Sequence, residues 1–156
     1  MKIVLLHVSS AREDWADEAC AIYTKKISAF FPCAEEALKP KKISREDAAF
    51  KKAADSETLL AALKPDDFVL LWDEKGKSFD SRAFAKQFEN ILGRSKKRLV
   101  MVIGGAYGVD ESLKKRAELT VSFGPMTMNH LLAKTAVLEQ TYRALTILRG
   151  LPYHND

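Results

Sequence analysis

Leu99-Val100-Met101-Val102-Ile103-Gly104-Gly105-Ala106-Tyr107-Gly108 is the stretch whose reading decides the fold. Five consecutive apolar residues, mostly β-branched, have no polar side to turn toward water. They read as a strand buried on both faces. Three glycines in the next five residues let the backbone turn sharply at the strand's carboxyl end, or let it approach a ligand closely. Taken alone, a tight strand-to-helix turn explains them equally well. A doubly buried strand needs a layer above and a layer below, so helices are expected on either side of it in the chain.

They are found in both directions. Upstream, Asp80 is a good N-cap for a helix that turns Phe84, Phe88, Ile91 and Leu92 inward and closes at Gly93. Before it lies a second apolar run, Phe68–Trp72, entered through a Pro65-Asp66 turn and left through a turn at Gly76. Ser44, with Asp47 three residues on, resembles a capping box and opens a helix to about Leu63. Cys33–Lys39 has helical propensity, but its place in the alternation makes it a short strand. Trp15, Ala19, Ile22, Tyr23, Ile27 and Phe30 recur at three- and four-residue steps, a helix that Pro32 ends. Lys2–Val8 is a third buried strand. Downstream, Asp110 caps a short helix, Leu119–Phe123 is the last strand, and a long helix runs from about His130 to Leu148. The expected class is α/β, a mainly parallel sheet with helices on both faces, as one domain over residues 1–156.

Composition narrows the functions available. Hydrophobic residues are 47% and charged residues 29%, a globular balance. Cys20 and Cys33 match no zinc-ligand spacing, and with three His no metal site is expected. Two sparse thiols suit a reducing, cytoplasmic setting. The apolar start of MKIVLLHVSS is too short for a secretory h-region or a membrane span. A net charge of +4 admits an anionic partner such as nucleic acid without requiring one. A dinucleotide-binding oxidoreductase should carry glycines in its first strand-to-helix turn, where this chain has Ser9-Ser10-Ala11. No GxxxxGK[ST] loop is present, which excludes a P-loop nucleotidase.

In parallel sheets, ligands collect outside the carboxyl ends of strands. The loops after Trp72, Ile103 and Phe123 are therefore the candidates. The last reads Phe123-Gly124-Pro125-Met126-Thr127-Met128-Asn129-His130, apolar with a few polar atoms, and could pack a flat heterocycle or simply line the core. The tail, Gly150-Leu151-Pro152-Tyr153-His154-Asn155-Asp156, ends in an aromatic beside a His. Pro152 stops the helix, so Tyr153 and His154 are expected to leave it as an extended arm able to stack on a base.

Four features in order resemble the RlmH family of SPOUT-class methyltransferases. They are the IGGxxG loop, the F-x-x-M-T loop running to a His, the stretch Glu139-Gln140-Thr141-Tyr142-Arg143-Ala144, and the terminal Tyr-His pair. The resemblance covers essentially the whole chain. It implies a sheet whose C-terminal part is threaded into a trefoil knot, against the general rule. It further implies N3-methylation of a pseudouridine in 23S ribosomal RNA by a homodimer. S-adenosylmethionine would be held by Trp72, Gly104, Phe123, Gly124, Pro125, Met126, Thr127 and Met128, with no metal and no membrane. This chain departs from the family where Trp72 replaces Leu, where Asn129-His130 replaces Pro-His, and where Lys134 replaces Arg.

N3 carries a weakly acidic proton, so a base or a cation that stabilises the anion is needed. The candidates are His154, Tyr153, Arg143 and His130, with Lys134 behind them. His7 reads as a satisfied strand residue. Lys96-Lys97-Arg98 reads as a solvated approach to a strand, with phosphate contacts as the alternative. A module that binds RNA or the ribosome without chemistry is the rival reading from another class.

Overall fold

The computed structural model describes residues 1–42 and 47–155. Five parallel strands form one sheet in the order β2-β1-β4-β3-β5. They are β1 (Lys2–Val8), β2 (Cys33–Leu38), β3 (Asp67–Lys77), β4 (Arg98–Ile103) and β5 (Leu119–Val121). The helices are α1 (Asp14–Ser28), α2 (Ala48–Ala62), α3 (Ser81–Leu92), α4 (Glu111–Arg116) and α5 (His130–Leu148).

The period-2 alternation of strand side chains divides the core in two. Ile3, Leu5, Phe68, Leu70, Leu99 and Met101 face α1, α3 and α5. Val4, Leu6, Val69, Leu71, Val100 and Val102 face α2 and α4, through Leu59 and Leu113. This is why β1, β3 and β4 read as unbroken apolar runs: each face meets a helix layer. At the opposite end of the sheet from the candidate loops, Arg98 grips buried Asp67 with two hydrogen bonds of 2.8 and 2.6 Å. Arg98 is thus an internal ion-pair partner, and the reading of it as part of a solvated approach is corrected.

The caps at Asp80 and Asp110 form as expected, each side chain accepting from a backbone N–H in the first turn. Asp47 caps α2 by accepting from Ala49 N–H at 2.9 Å; the Ser44 half of the expected box lies outside the described residues.

Two strand boundaries differ from expectation by more than one residue. β3 continues through Gly76 to Lys77, crossing an irregularity in its pairing with β5. Gly76 is not a turn residue: a Cβ there would lie 2.6–2.8 Å from backbone atoms of Thr120 and Val121. Glycine is required for close backbone approach inside the strand. β5 stops at Val121, two residues early, because Ser122 turns the chain. Its hydroxyl accepts from Gly124 N–H at 2.9 Å and lies 3.0 Å from the Glu74 carbonyl.

Candidate functional site

A cavity of about 700 Å³ opens at the carboxyl ends of β3, β4 and β5. Its size suits a nucleoside-sized ligand. Each expected stretch supplies a wall, although the one after Trp72 is not a loop: Asp73, Glu74 and Lys75 line the cavity from within β3. Trp72 comes from β3, and Gly104, Gly105, Tyr107 and Gly108 follow β4. Phe123, Gly124, Met126, Thr127 and Met128 follow β5, and His130 opens α5. Seven of the eight residues expected to hold a cofactor thus line one space; Pro125 is not among its lining residues.

The glycine loop is held by its own backbone. Gly105 and Gly108 pair as an isolated bridge, with Gly108 N–H donating to Gly105 C=O at 3.0 Å. Gly108 has φ +75, the left-handed region that favours glycine. A Cβ on Gly104 would meet Val109 Cγ1 at 2.7 Å and Gly108 backbone at 3.0 Å. Gly104 is therefore needed to close the loop on itself, and through that to shape the cavity wall.

The wall from β5 is aromatic and sulfur-rich. Phe123 stacks on Trp72 with centroids 4.3 Å apart and planes 18° apart. Trp72 is buried, and its Nε1 has no hydrogen-bond partner. Met126 is 86% exposed, and Phe123 and Met128 are exposed as well. Flexible apolar side chains around a rigid ring suit a flat ligand whose outline they can follow.

His130 joins the cavity to a buried polar chain. Its Nε2 lies 2.9 Å from Nδ1 of His7, and Nε2 of His7 lies 2.9 Å from Glu35. The same Glu35 oxygen accepts from Lys134 Nζ at 2.9 Å, and Lys134 also donates to Asp17 at 3.1 Å. Hydrogen bonding from His7, with that from Lys134, holds the Glu35 carboxyl below the usual range. Burial pushes His130 down to about 4, reinforced by the charges of His7 and Lys134, so its ring is neutral at ordinary pH. Asn129 accepts from Leu131 N–H at 2.9 Å, capping α5 where the family has Pro.

The other candidates gather elsewhere. Arg143 lies thirteen residues beyond His130 on α5, about 20 Å along the helix at ~1.5 Å per residue. There Tyr153 O–H donates to Glu139 at 2.9 Å, Arg143 pairs with the same carboxylate, and Arg143 lies 3.2 Å from His154 Nδ1. Because guanidinium only donates, His154 Nδ1 must be the acceptor, which puts the proton of a neutral ring on Nε2. Burial, with the Tyr23 and Glu139 hydrogen bonds, raises the Tyr153 hydroxyl well above its ordinary pKa, so it stays protonated.

The expected extended arm is overturned here. Gly150, at φ +63, ends α5, and Leu151 N–H donates back to Thr146 C=O at 2.9 Å. This reversal lays Tyr153 edge-on against Tyr142 at 4.8 Å, with its hydroxyl 3.3 Å from that of Tyr23. Pro152 stops the helix, but glycine had already turned the chain back.

Reading the sequence missed Asp17, Tyr23, Glu35 and Glu139. Glu139 had a signal, standing four residues before Arg143 on a helix. Glu35 and Asp17 had none, since only strand pairing and helix docking bring them to Lys134.

Residues 1–154 match the family described as "Predicted SPOUT methyltransferase". This chain belongs to the SPOUT methyltransferase family. A curated relative named ribosomal RNA large subunit methyltransferase H, from Bdellovibrio bacteriovorus, is 52% identical over 155 residues, covering 99% of each chain. One of the same name from Parabacteroides distasonis is 35% identical over the full length of both. A solved structure titled as a probable methylase family protein from Haemophilus influenzae shares the fold with a TM-score of 0.52 at 12% identity. That match covers 96% of this chain and 66% of the other. Among the described residues, no group of three or more His, Cys, Asp or Glu is placed to hold a metal ion, and no helix is long and apolar enough to cross a membrane. Cys20 and Cys33 are free thiols.

Proposed function

We propose that this SPOUT methyltransferase moves the methyl group of S-adenosylmethionine to N3 of a pseudouridine in large-subunit ribosomal RNA, as a cytoplasmic homodimer. One observation carries the reading: in a chain of this family, the 72–75 part of β3 and the loops after β4 and β5 converge on one cavity with apolar and charged walls. The residues fit the donor, with glycine backbone on one side, apolar side chains on the other, and an unpaired indole N–H at the wall. When bound, that donor supplies a methyl group already activated on a sulfonium, so the protein's task is alignment and proton handling.

Trp72, Gly104 and Phe123–Met128 would hold the donor. Both ring nitrogens of His7 and the Nε2 of His130 are tied into the polar chain, so His130 serves to fix the start of α5 beside the glycine loop. Proton handling falls to the Arg143, Tyr153 and His154 cluster. Arg143 supplies a permanent charge that stabilises N3 as its proton leaves to solvent water, His154 supplies a hydrogen-bond donor, and Glu139, with the Tyr153 hydroxyl donating to it, holds the guanidinium in place.

Within one chain that cluster is remote from the cavity. A second copy supplying its cluster to the first copy's cavity resolves the separation, as a two-fold dimer allows. Trp15 and Ile22, seven apart on α1, and Leu132 on α5 are about half exposed and offer apolar surface for such contact. We also assign the family's trefoil knot to the C-terminal part. In support, the chain leaves β5 at one edge of the sheet, runs along the cavity beside the glycine loop that follows β4, and starts α5 against the end of β1, from where the helix packs on α3 and α1.

Mass spectrometry of ribosomal RNA from a strain lacking this gene, with and without the gene restored, tests the reading. A methyl on large-subunit pseudouridine should vanish and return. Unchanged RNA would reject it.

A further inference from the structure

Among the described residues, one buried side-chain nitrogen or oxygen lacks a hydrogen-bond partner: Nε1 of Trp72. Trp72 is 8% exposed, ends the buried run of β3, and lines the cavity. Phe123 stacks on it and Phe84 lies tilted against it at 5.5 Å. An indole N–H can only donate, and buried without an acceptor it is unfavourable. An orphaned donor at the wall of a cavity marks a place where a ligand brings the acceptor.

The segment that covers the indole has the means to move aside. No strand or helix includes residues between Val121 and His130. Gly124 holds φ +125 just after Phe123, and Phe123 and Met126 are respectively 43% and 86% exposed. The surroundings also limit which part of a ligand fits. Ile103, Val121 and Phe123 stand with Trp72 on the wall, a poor place for a zwitterion and a good one for a flat heterocycle or ribose.

We propose that ligand entry shifts the 123–128 loop and that Trp72 then donates its Nε1–H to an acceptor atom in the nucleoside part of the methyl donor. Trp72 is in this way a specificity-determining residue, with Phe84 of α3 holding the indole plane. The inference rests on the reading of this cavity as the methyl-donor site. A leucine in the same place would fill space and contribute no donor.

The chain has two tryptophans, so an indole ¹⁵N–¹H spectrum has two signals, assigned with W15F. Wild-type protein is titrated with S-adenosylhomocysteine, and separately with 5′-methylthioadenosine, which lacks the amino-acid end. The Trp72 indole signal is expected to move downfield with both. Trp72→Phe, which keeps a ring and removes the donor, should weaken both ligands about twofold to twelvefold, the range for one hydrogen bond. If the Gly104 and Thr127 amides respond while the Trp72 indole does not, the inference is overturned. Equal affinity of Trp72→Phe and wild type overturns it too. A penalty with S-adenosylhomocysteine alone overturns the nucleoside assignment. If the Gly104 and Thr127 amides stay unmoved, the reading of the cavity itself fails.

Discussion

His130 Nε2 and His7 Nδ1 lie 2.9 Å apart, and through His7 the wall of the cavity is connected to Glu35 and the buried ammonium of Lys134. The contact joins the first turn of α5 to the end of β1. It ties the residue that opens the last helix to the first strand of the sheet.

That pairing sets an acid limit on stability. The folded pKa of His130, about 4, lies below the ordinary value of 6.5. The unfolded chain therefore binds the extra proton first, and stability falls as pH drops from about 6.5 toward 4. The carboxyls of Asp17 and Glu35 are held below their ordinary 3.8 and 4.5, so their contributions disappear only at still lower pH. Thermal melts between pH 6.5 and 4.5 should show this decline, and His130→Asn should flatten it. An equally steep decline in the variant would refute the assignment.

Lys134→Met should be strongly destabilising. The ammonium is buried, and burial would lower its pKa, but the hydrogen bonds it donates to Glu35 and Asp17 outweigh that effect and raise it. Removing it leaves the largely buried carboxylate of Glu35 without its ammonium and with His7 as the remaining partner. Breaking a buried pair costs about 3–5 kcal/mol, and since Glu35 keeps some contact with solvent, about 2–4 is expected by urea denaturation. Lys134→Arg should lose far less, because the charge remains.

Gly76→Ala tests the close approach of β3 to β5. Its Cβ would fall 2.6 Å from Val121 backbone, which cannot move without opening the strand pairing. A loss of about 1–3 kcal/mol is expected, the usual range for overpacking. Cofactor affinity should fall with it, since Phe123 follows two residues after Val121. Calorimetry showing wild-type stability would contradict the geometry.

Deleting residues 153–156 carries a different expectation from the loss of a free arm. Tyr153 touches Tyr142, Tyr23 and Glu139, so its loss should cost about 1–2 kcal/mol of stability for the ring contact and hydrogen bond together. Tyr153→Phe isolates the hydroxyl and should cost about 0.5–1.5 kcal/mol. In both, methyl transfer to ribosomes should fall far more than binding of S-adenosylhomocysteine, whose proposed site is at the other end of α5. Equal losses in transfer and cofactor binding would place the tail outside proton handling.

The sequence by itself determined what local chemistry and period can determine. The runs Lys2–Val8, Phe68–Trp72 and Leu99–Ile103 had no polar face, so a two-sided helix cover was the only way to bury them. Asp80 and Asp110 announced their helices because a cap needs only its own next turn. The stretches after Trp72, Ile103 and Phe123 were legible as site candidates because parallel strands run toward one edge, although the first of them is still strand. Tertiary structure decided the rest. Gly76 reads as a turn until β5 is seen pressed against it, and the terminal Tyr153 reads as an arm until Gly150 turns it back onto α1 and α5. Lys134, Glu35, Asp17, His7 and His130 are scattered from one end of the chain to the other, and no periodicity links them. Their meeting is a long-range consequence of β1–β2 register and the docking of α5 on α1, which act through space and leave no spacing in the chain to read.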